Sequence, residues 1–328
     1  MPPIKRVLIA LLAVFLLMVA AMAFYALRPL TMPAIPFEFS LKQGTSLKGM
    51  SRQMHQDGLI RNERMFVWLG RMLGRAGEIK FGSYELEKTV SPLELLNIVT
   101  EGRVSQVHIS IIEGTTFKQL RDTLDTDPEL RHDSAAMSEA EILQRVGAPE
   151  AHAEGLFFPD TYYFASGASD LTILKRAYQT MQRHLQENWQ QRSPGLPLQT
   201  PYQALILASI VEKETGQASD RAMIAGVFIN RLRRGMLLQT DPAVIYGMGD
   251  KFDGNLRKRD LLKDTPYNTY TRTGLPPTPI ALPGLAALQA TLHPAATDAL
   301  YFVARGDGSS VFSKSLAQHN RAVNKYQK

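Results

Sequence analysis

The longest apolar stretch of the chain lies near its N-terminus, where Val7–Leu27 reads VLIALLAVFLLMVAAMAFYAL and contains no charged residue. At a rise of about 1.5 Å per residue, a helix of this length spans roughly 31 Å, the thickness of a bilayer's hydrocarbon core. Lys5 and Arg6 precede the stretch. Because basic residues flank membrane helices on the cytoplasmic side, the pattern predicts a single-pass anchor at residues 7–27, with residues 1–6 in the cytoplasm and the body outside.

A cleaved signal peptide is the alternative interpretation of this stretch. The sequence AMA at residues 21–23 resembles a cleavage site. The apolar region of a signal peptide usually has only about 7–15 residues, however, which favours a retained anchor.

A different pattern occurs twice in the body. FSLKQGTSLKGMSRQM (residues 39–54) matches ISIIEGTTFKQLRDTL (residues 109–124) in register. Each copy begins with the alternation of apolar and polar residues that is typical of a strand. A glycine turn, a hydroxyl residue suited to cap a helix, and a helical period follow. The pattern therefore predicts two strand–turn–helix units.

The chain as a whole is predicted to belong to the α+β class. A proline-containing linker at residues 28–36 leads to a small α/β module at residues 37–104, and residues 105–328 form a larger mixed α+β domain. A length of 328 residues is consistent with this division into a small and a larger domain.

One predicted helix of the larger domain ends in two glutamates. Thr200, Pro201 and Gln203 have the spacing of a capping box with proline in the first turn. Gly216 suits the position after the C-cap. We therefore predict a helix from Pro201 to Thr215.

Glu212 and Glu214 of this helix are expected to face different ways, because residues i and i+2 do not share a helix face. Glu214 continues the bulky apolar stripe of Val211, Ile210 and Leu207, whereas Glu212 follows smaller residues. A carboxyl group at the end of an apolar stripe is poorly solvated, which raises its pKa and suits it to act as a general acid. A solvated or salt-bridged glutamate is the ordinary alternative.

Polar and aromatic side chains are concentrated after this helix. LQTDPAVIYG occupies residues 238–247, and TPYNTYTRTGLPPTPIALPG occupies residues 265–284. Hydroxyls, amides and flat rings are the groups that bind sugar polymers, and long loops of this kind are commonly functional. These segments are therefore predicted to line a carbohydrate-binding cleft.

Composition excludes several other chemistries. The chain has no cysteine, which excludes disulfides, zinc–thiolate sites and a cysteine nucleophile. It also lacks a P-loop, a His-Glu-x-x-His motif and a Gly-x-Ser-x-Gly motif. The net charge of +6 is spread along the chain, without a basic recognition helix, so we predict no nucleic-acid partner. The seven histidines are scattered, and no metal or cofactor is predicted.

Five stretches together resemble the endolytic murein transglycosylase family, whose members have a YceG-like domain. They are EGLFFPDTY, ASIVEKET, VFINRLRRGMLLQTDPAVIYG, YNTYTRTGLPP and HNRAVNKY, and they cover Glu154 to Tyr326. The module that begins at Phe39 is similar to a LysM peptidoglycan-binding module.

The resemblance implies cleavage of peptidoglycan between N-acetylmuramic acid and N-acetylglucosamine. In this family the C6 hydroxyl of the muramic acid attacks in place of water and leaves a 1,6-anhydro end. One carboxyl group first donates a proton to the leaving oxygen and then accepts one from the hydroxyl. The family's catalytic glutamate lies in the EKE segment, which implies Glu214, with Glu212 as the alternative.

Roles for the remaining site residues are hypotheses. Ordinary structural roles are the alternative for the tyrosines and the asparagine. If Asp241 lay about 5–9 Å from Glu214, two-carboxylate hydrolysis would become credible. Substrate contacts are predicted for Gln239, Thr240, Asp241, Tyr246, Tyr267, Asn268 and Tyr270, and supporting roles for Glu154, Asp160, Tyr162 and Asn230.

The resemblance also implies a cellular setting. The expected partners are peptidoglycan strands, the membrane and peptidoglycan synthases. The expected location is the bacterial inner membrane, with the catalytic body on its periplasmic or outer face. The alternative function is a non-catalytic tether that binds peptidoglycan and holds the synthesis machinery to it.

Overall fold

The structure, a computed structural model, describes residues 3–42, 44–102 and 106–327. Helices and short strands are mixed along these residues, which confirms the predicted α+β class. A short 3-10 helix lies at Gly249–Lys251. The elements are α1 (Pro3–Leu27), β1 (Phe37–Leu41), α2 (Leu47–Gln56), α3 (Glu63–Met72), β2 (Gly82–Leu86), α4 (Pro92–Glu101), β3 (Gln106–Ser110), α5 (Phe117–Thr126), β4 (Leu130–Arg131), α6 (Glu139–Val146), β5 (Thr161–Ala165), β6 (Ala168–Ser169), α7 (Asp170–Gln190), α8 (Pro201–Glu214), α9 (Ala218–Arg233), α10 (Asp241–Met248), α11 (Lys258–Leu262), α12 (Leu285–Leu292), β7 (Tyr301–Ala304), β8 (Ser310–Ser313) and α13 (Leu316–Tyr326).

The strand–turn–helix pattern predicted twice from the sequence is present twice. β1 leads into α2, whose N-cap Ser46 accepts a hydrogen bond from the N–H of Gly49. β3 leads into α5, whose N-cap Thr116 accepts one from the N–H of Gln119. Capping by a hydroxyl satisfies a donor that the first turn of a helix cannot pair internally. This prediction is therefore confirmed.

The chain forms two compact units, of which the first comprises residues 1–108 and 163–168. In this unit β1 pairs antiparallel with β2, and Phe39 lies opposite Tyr84. α2, α3 and α4 contribute to the same apolar core. The predicted domain boundary between residues 104 and 105 lies outside the described residues. Fully buried side chains of the core include Met50, Met54, Phe66, Leu95 and Leu96.

Residues 28–36, predicted to form an extended linker, pack on the first unit. The N–H of Leu30 donates to the carbonyl of Val90 at 2.9 Å. Leu30 and Met32 are also partly buried against the core. The segment therefore holds the end of α1 directly on this unit.

The last two turns of α1 meet the same core through Met22, Tyr25 and Ala26. Earlier in the helix, large apolar side chains such as Leu11 and Phe15 are exposed. Within the part of the chain that the structure describes, no helix combines the length and the apolar character needed to cross a membrane. The anchor at residues 7–27 therefore stays a prediction.

The second unit comprises residues 109–162 and 169–328 and is built around α8. This helix contacts α7, α9, α10 and α12. Every residue from Ala204 to Val211 is buried, so this part of α8 is enclosed on all sides and has no solvent-facing stripe.

The ends of α8 differ in how well the sequence predicted them. Thr200 accepts the N–H of Gln203, as expected of an N-cap. At the other end the helix stops at Glu214, because Thr215 is extended with a φ of −152°. Gly216, predicted to be a left-handed cap, does not have a positive φ. The abrupt end leaves Glu214 as the last helical residue.

Candidate active site

Glu214 lies where α8 ends and meets the residues that precede α10. Its carboxylate accepts a hydrogen bond from Oγ1 of Thr240. Burial raises the pKa of Glu214 to about 7, and the nearby charge of Asp241 adds to this effect. The Thr240 hydroxyl and the charge of Arg231 act in the opposite direction. A carboxyl group that is half protonated near neutral pH can both donate and accept a proton.

A buried arginine holds the loop that carries Thr240. Arg231 of α9 is 6% exposed. Its Nη1 donates to the carbonyls of Leu237 and Leu238, at 3.2 and 2.8 Å, and to the side-chain oxygen of Gln239 at 3.3 Å. Gln239 has a φ of +52°, which a residue with a Cβ rarely adopts. Such a conformation persists only where the surrounding structure imposes it.

Thr269 fixes the same loop from the other side. Its carbonyl accepts the N–H of Gln239 at 3.0 Å. Its Oγ1 accepts the N–H of Thr240 at 3.0 Å and lies 3.2 Å from the carbonyl of Thr240, to which it donates. Thr240 is therefore held through its main chain, and its hydroxyl is directed to Glu214.

Asp241 is a second carboxylate beside Glu214. It is the first residue of α10 and is exposed. Its Oδ1 accepts the O–H of Tyr270 at 2.5 Å. Burial and this carboxylate both raise the pKa of Tyr270 above its ordinary value, so the phenol stays protonated and continues to donate. The charged Asp241 in turn stabilises the protonated form of Glu214.

Glu212 and Glu214 are both partly buried, which differs from the expectation that the two face different ways. Oε2 of Glu212 accepts the N–H of Gly284, at the start of α12, at 2.9 Å. Gly284 also lies against Glu113, because a Cβ built on this glycine would be 1.9 Å from Oε1 of Glu113. Burial raises the pKa of Glu212, and the hydrogen bond from Gly284 opposes this effect. Glu212 therefore joins α8 to the start of α12.

Glu154, which is buried, and Tyr246, which is partly buried, form a separate pair. Glu154 is 6% exposed, and its two oxygens accept the N–H of Phe117 at 3.0 and 3.2 Å. Burial raises the pKa of Glu154 to about 7, against the hydrogen bonds from Phe117 and Tyr246. Both residues line a cavity of about 430 Å³. The ring of Tyr246 packs edge-on against Tyr267, with centroids 5.0 Å apart.

The backbone at Gly155 lies against Pro279, within the segment of residues 265–284. Gly155 has a φ of +79°, and a Cβ added there would be 2.4 Å from Cβ of Pro279. The main-chain conformation and the close approach both require glycine at this position. This contact fixes the residue that follows Glu154.

The described residues contain one group that could supply three metal ligands: Asp125, His132 and Asp170. Asp170 is fully buried, but its carboxylate already accepts the N–H and O–H of Ser134 and the N–H of Leu171. Asp125 and His132 are exposed. Asp170 therefore has a structural role at the start of α7.

The family model described as YceG-like family matches residues 39–325. The chain belongs to the YceG-like family. The resemblance stated from the sequence is thereby confirmed.

Three similar proteins extend the YceG-like match. The endolytic murein transglycosylase of Bacillus subtilis (strain 168) is 30% identical over 304 residues, which cover 88% of this chain and 84% of that protein. The endolytic murein transglycosylase of Streptococcus pneumoniae serotype 2 is 27% identical over 317 residues, covering 86% of this chain and 57% of that protein. A crystal structure of a yceG-like protein from Listeria monocytogenes has a TM-score of 0.55 and 28% identity, and the match covers 87% of this chain and 98% of that chain.

Two of the predicted site residues of this YceG-like chain form hydrogen bonds to its own main chain. Asn268 is 1% exposed and donates to the carbonyls of Leu261 and Lys263, at 3.0 and 2.7 Å. Asn230 donates to the carbonyls of Thr297 and Ala299. The NH2 groups of both side chains are therefore engaged in main-chain contacts.

Two further supporting residues have local roles. Tyr162 is 4% exposed, and its O–H donates to the carbonyl of Phe158 at 2.8 Å. Asp160 is exposed and accepts the N–H of Thr161. Neither contact reaches the carboxylate of Glu214. The residues that the structure brings together at Glu214 are Thr240, Asp241, Tyr270 and Arg231, and Gln239 lies in the same loop.

Sequence reasoning missed two residues of the YceG-like site. Arg231 is a charged residue within the helical stretch VFINRLRRG, and a charge at a buried position is the signal that could have identified it. Thr269 gave no comparable signal, since it is one of many hydroxyl residues in its loop. Its role depends on a partner 29 residues earlier in the chain.

Proposed function

We propose that this chain is an endolytic murein transglycosylase that cleaves the glycan strands of peptidoglycan, with Glu214 as its acid and base. The observation that carries the proposal is the Glu214 carboxyl, which is partly buried, accepts a hydrogen bond from Thr240 and has a pKa raised to about 7. Membership of the YceG-like family and the names of the relatives from B. subtilis and S. pneumoniae support the substrate class.

The reaction requires one group to act twice. Protonated Glu214 donates its proton to the glycosidic oxygen as the bond to C1 of N-acetylmuramic acid breaks. The resulting carboxylate then accepts the proton of the C6 hydroxyl, whose oxygen forms the new bond to C1. The products are a 1,6-anhydro end and a free hydroxyl on the leaving strand, and no water is consumed. A pKa near the working pH suits both steps.

The neighbouring residues fix the position of the Glu214 carboxyl and set the balance between its protonated and ionised forms. Thr240 orients the carboxyl by its hydrogen bond, and Arg231 fixes the loop that carries Thr240. Asp241, held by Tyr270, favours the protonated form that begins the reaction. Tyr246 and Tyr267 offer ring edges and faces for sugar contact, and Tyr267 O–H lies 2.8 Å from Oγ1 of Thr278.

Digestion of purified peptidoglycan, with mass spectrometry of the products, tests the proposal. The wild type should release fragments with anhydro-muramyl ends, and Glu214→Gln should release none. Glu212→Gln is the matched control, because glutamine can still accept the N–H of Gly284, and it should remain active.

Each contrary outcome has a distinct meaning. Reducing ends would show hydrolysis and would direct attention to Asp241 as a second carboxylate. Activity in Glu214→Gln but not in Glu212→Gln would exchange their roles. Binding of peptidoglycan without cleavage by the wild type would favour the non-catalytic tether.

We also propose that α1 anchors the chain in the inner membrane, with residues 1–6 in the cytoplasm and the body on the periplasmic or outer face. The support is the uncharged sequence of residues 7–27 and the exposure of apolar side chains such as Leu11 and Phe15. Because the chain has no cysteine, single cysteines introduced at Pro3 and Ser309 can report the topology. A membrane-impermeant thiol reagent added to cells should label only the second, and labelling of both or only the first would contradict the orientation.

The same proposal includes a LysM-like interpretation of the first unit and peptidoglycan synthases as partners. The β1–α2–α3–β2 order, with β1 and β2 antiparallel, supports a glycan-binding module. An anchored chain that binds glycan would cut newly made strands near the membrane, where peptidoglycan synthases act. Cross-linking in cells followed by mass spectrometry tests for those synthases, and their absence from the cross-linked products would contradict the partnership.

A further inference from the structure

The first unit presents an exposed apolar and basic surface on α3. Trp68 and Met72, four residues apart on one helix face, are 62% and 57% exposed, and the adjoining Leu73 is 47% exposed. Arg64 and Arg71 lie on the same face, four residues before and three residues after Trp68, and both are exposed. We call these five residues the α3 face. A cluster of large exposed apolar side chains marks an interaction surface.

The position of α1 indicates what meets the α3 face. α3 contacts α1 within the first unit. Met22 and Ala26 of α1 pack on the core that contains Phe66 of α3. From Met22 to Leu27 the helix rises only about 8 Å. If the exposed side chains of α1 lie in a membrane, the surface of that membrane is therefore in contact with the first unit. No length of chain separates the unit from that membrane surface.

The chemistry of the α3 face fits the boundary layer of a bilayer. Tryptophan is enriched at this depth, because its ring is apolar while its N–H remains hydrated. Helices that lie at an anionic membrane surface combine such apolar side chains with arginine or lysine. The fork of an arginine side chain binds phosphate oxygens in pairs. Arg64 and Arg71 lie on either side of Trp68 along the same exposed helix face.

We propose that the α3 face docks on the surface of an anionic lipid bilayer. Trp68 and Met72 lie at the boundary between headgroups and acyl chains, and Arg64 and Arg71 bind lipid phosphates. This inference rests on the anchor proposed for α1 and goes beyond it, because the contact holds the first unit down on the membrane and so restricts the unit's orientation.

The two tryptophans of the chain allow a direct test. The full-length variant Trp189→Phe retains only Trp68, and Trp68→Phe retains only Trp189, which lies in the second unit and is covered by Arg192. Each is reconstituted into vesicles of phosphatidylcholine and phosphatidylglycerol, with or without bromine on the acyl chains near the headgroup. Bromine quenches tryptophan fluorescence on contact. We expect a roughly twofold loss of Trp68 fluorescence in brominated vesicles and little loss for Trp189.

The outcomes separate the docking from the anchor. If the chain floats with the vesicles but Trp68 is not quenched, or if both tryptophans are quenched equally, the docking is overturned and the anchor stands. A chain that does not float with the vesicles overturns both. The double variant Arg64→Gln/Arg71→Gln should lose quenching of Trp68 in vesicles with phosphatidylglycerol, and unchanged quenching would contradict the phosphate contacts. None of these readouts depends on peptidoglycan cleavage.

Discussion

Replacement of Glu214 by glutamine should stabilise the chain at alkaline pH while it abolishes cleavage. Burial disfavours the charged form of Glu214, and its pKa rises from the ordinary value of 4.5 to about 7. Glutamine has the same shape, carries no charge at any pH and can still accept the hydrogen bond of Thr240. The variant therefore avoids the cost of a buried charge.

The magnitude and the pH range follow from the two pKa values. Below pH 4.5 the carboxyl group is protonated in both the folded and the unfolded chain, so wild type and variant differ little. Between 4.5 and about 7 the unfolded chain releases the proton while the folded chain retains it, so the wild type loses stability as the pH rises. The full shift corresponds to about 3 kcal/mol, which the variant should gain over the wild type by about pH 8.

Urea unfolding followed by circular dichroism at a series of pH values measures this difference. Glu187→Gln is the matched control, because Glu187 is exposed on α7 and forms only a loose pair with His184 at 3.9 Å. It should follow the wild type at every pH. A difference between Glu214→Gln and wild type that stays constant from about pH 5 to about pH 8 would refute the reasoning, since it would mean that Glu214 titrates in the same way in both states.

Three further predictions concern the surroundings of the site. Thr240→Val removes the hydroxyl that lowers the pKa of the Glu214 carboxyl, so the alkaline limb of the rate–pH profile for cleavage should move to higher pH. Thr240→Ser should leave the limb in place, and an unmoved limb in both variants would contradict the assigned bond. Arg231→Met leaves buried carbonyls unpaired and should lower the free energy of unfolding by about 3 kcal/mol, whereas Arg233→Met, which loses one exposed bond, should cost about 1 kcal/mol or less. Equal losses in urea unfolding would argue against the bracing role. Gly155→Ala should lower the melting temperature more than Gly147→Ala, because both glycines have positive φ but only Gly155 lies against a proline ring. Equal melting temperatures of the two variants would mean that the ring of Pro279 moves aside.

The sequence predicted best what depends on neighbouring residues. The hydroxyl caps of α2, α5 and α8 and the strands before the first two are local signals, because a side chain three residues away satisfies a helix end. The end of α8 was one residue off, and Gly216 was given a conformation that it does not adopt. Thr215 is extended instead, and its Oγ1 accepts the N–H of Gln217.

The sequence predicted less well what depends on distant residues. The stripe argument singled out Glu214, yet α8 is buried on all sides before it reaches either glutamate. The surroundings of the two carboxyls differ because Glu212 meets Gly284 and Glu214 meets Thr240, and both partners lie far along the chain. A helical period cannot identify partners of that kind. The candidate residues could therefore be named from the sequence, but their environments could not.

The arrangement around Glu214 is suited to the two opposite steps that we propose for this carboxyl. Burial and the charge of Asp241 favour its protonated form, while the hydroxyl of Thr240 and the charge of Arg231 favour its ionised form. Burial alone would keep the carboxyl group protonated, so that it could donate a proton but hardly accept one. Hydrogen bonding alone would keep it ionised, so that it could accept a proton but hardly donate one. Because Arg231 also fixes the loop that carries Thr240, one buried side chain contributes both a charge and the geometry of the hydrogen bond. The two roles proposed for Glu214 thus depend on contacts that α8 receives from α9 and from the residues before α10.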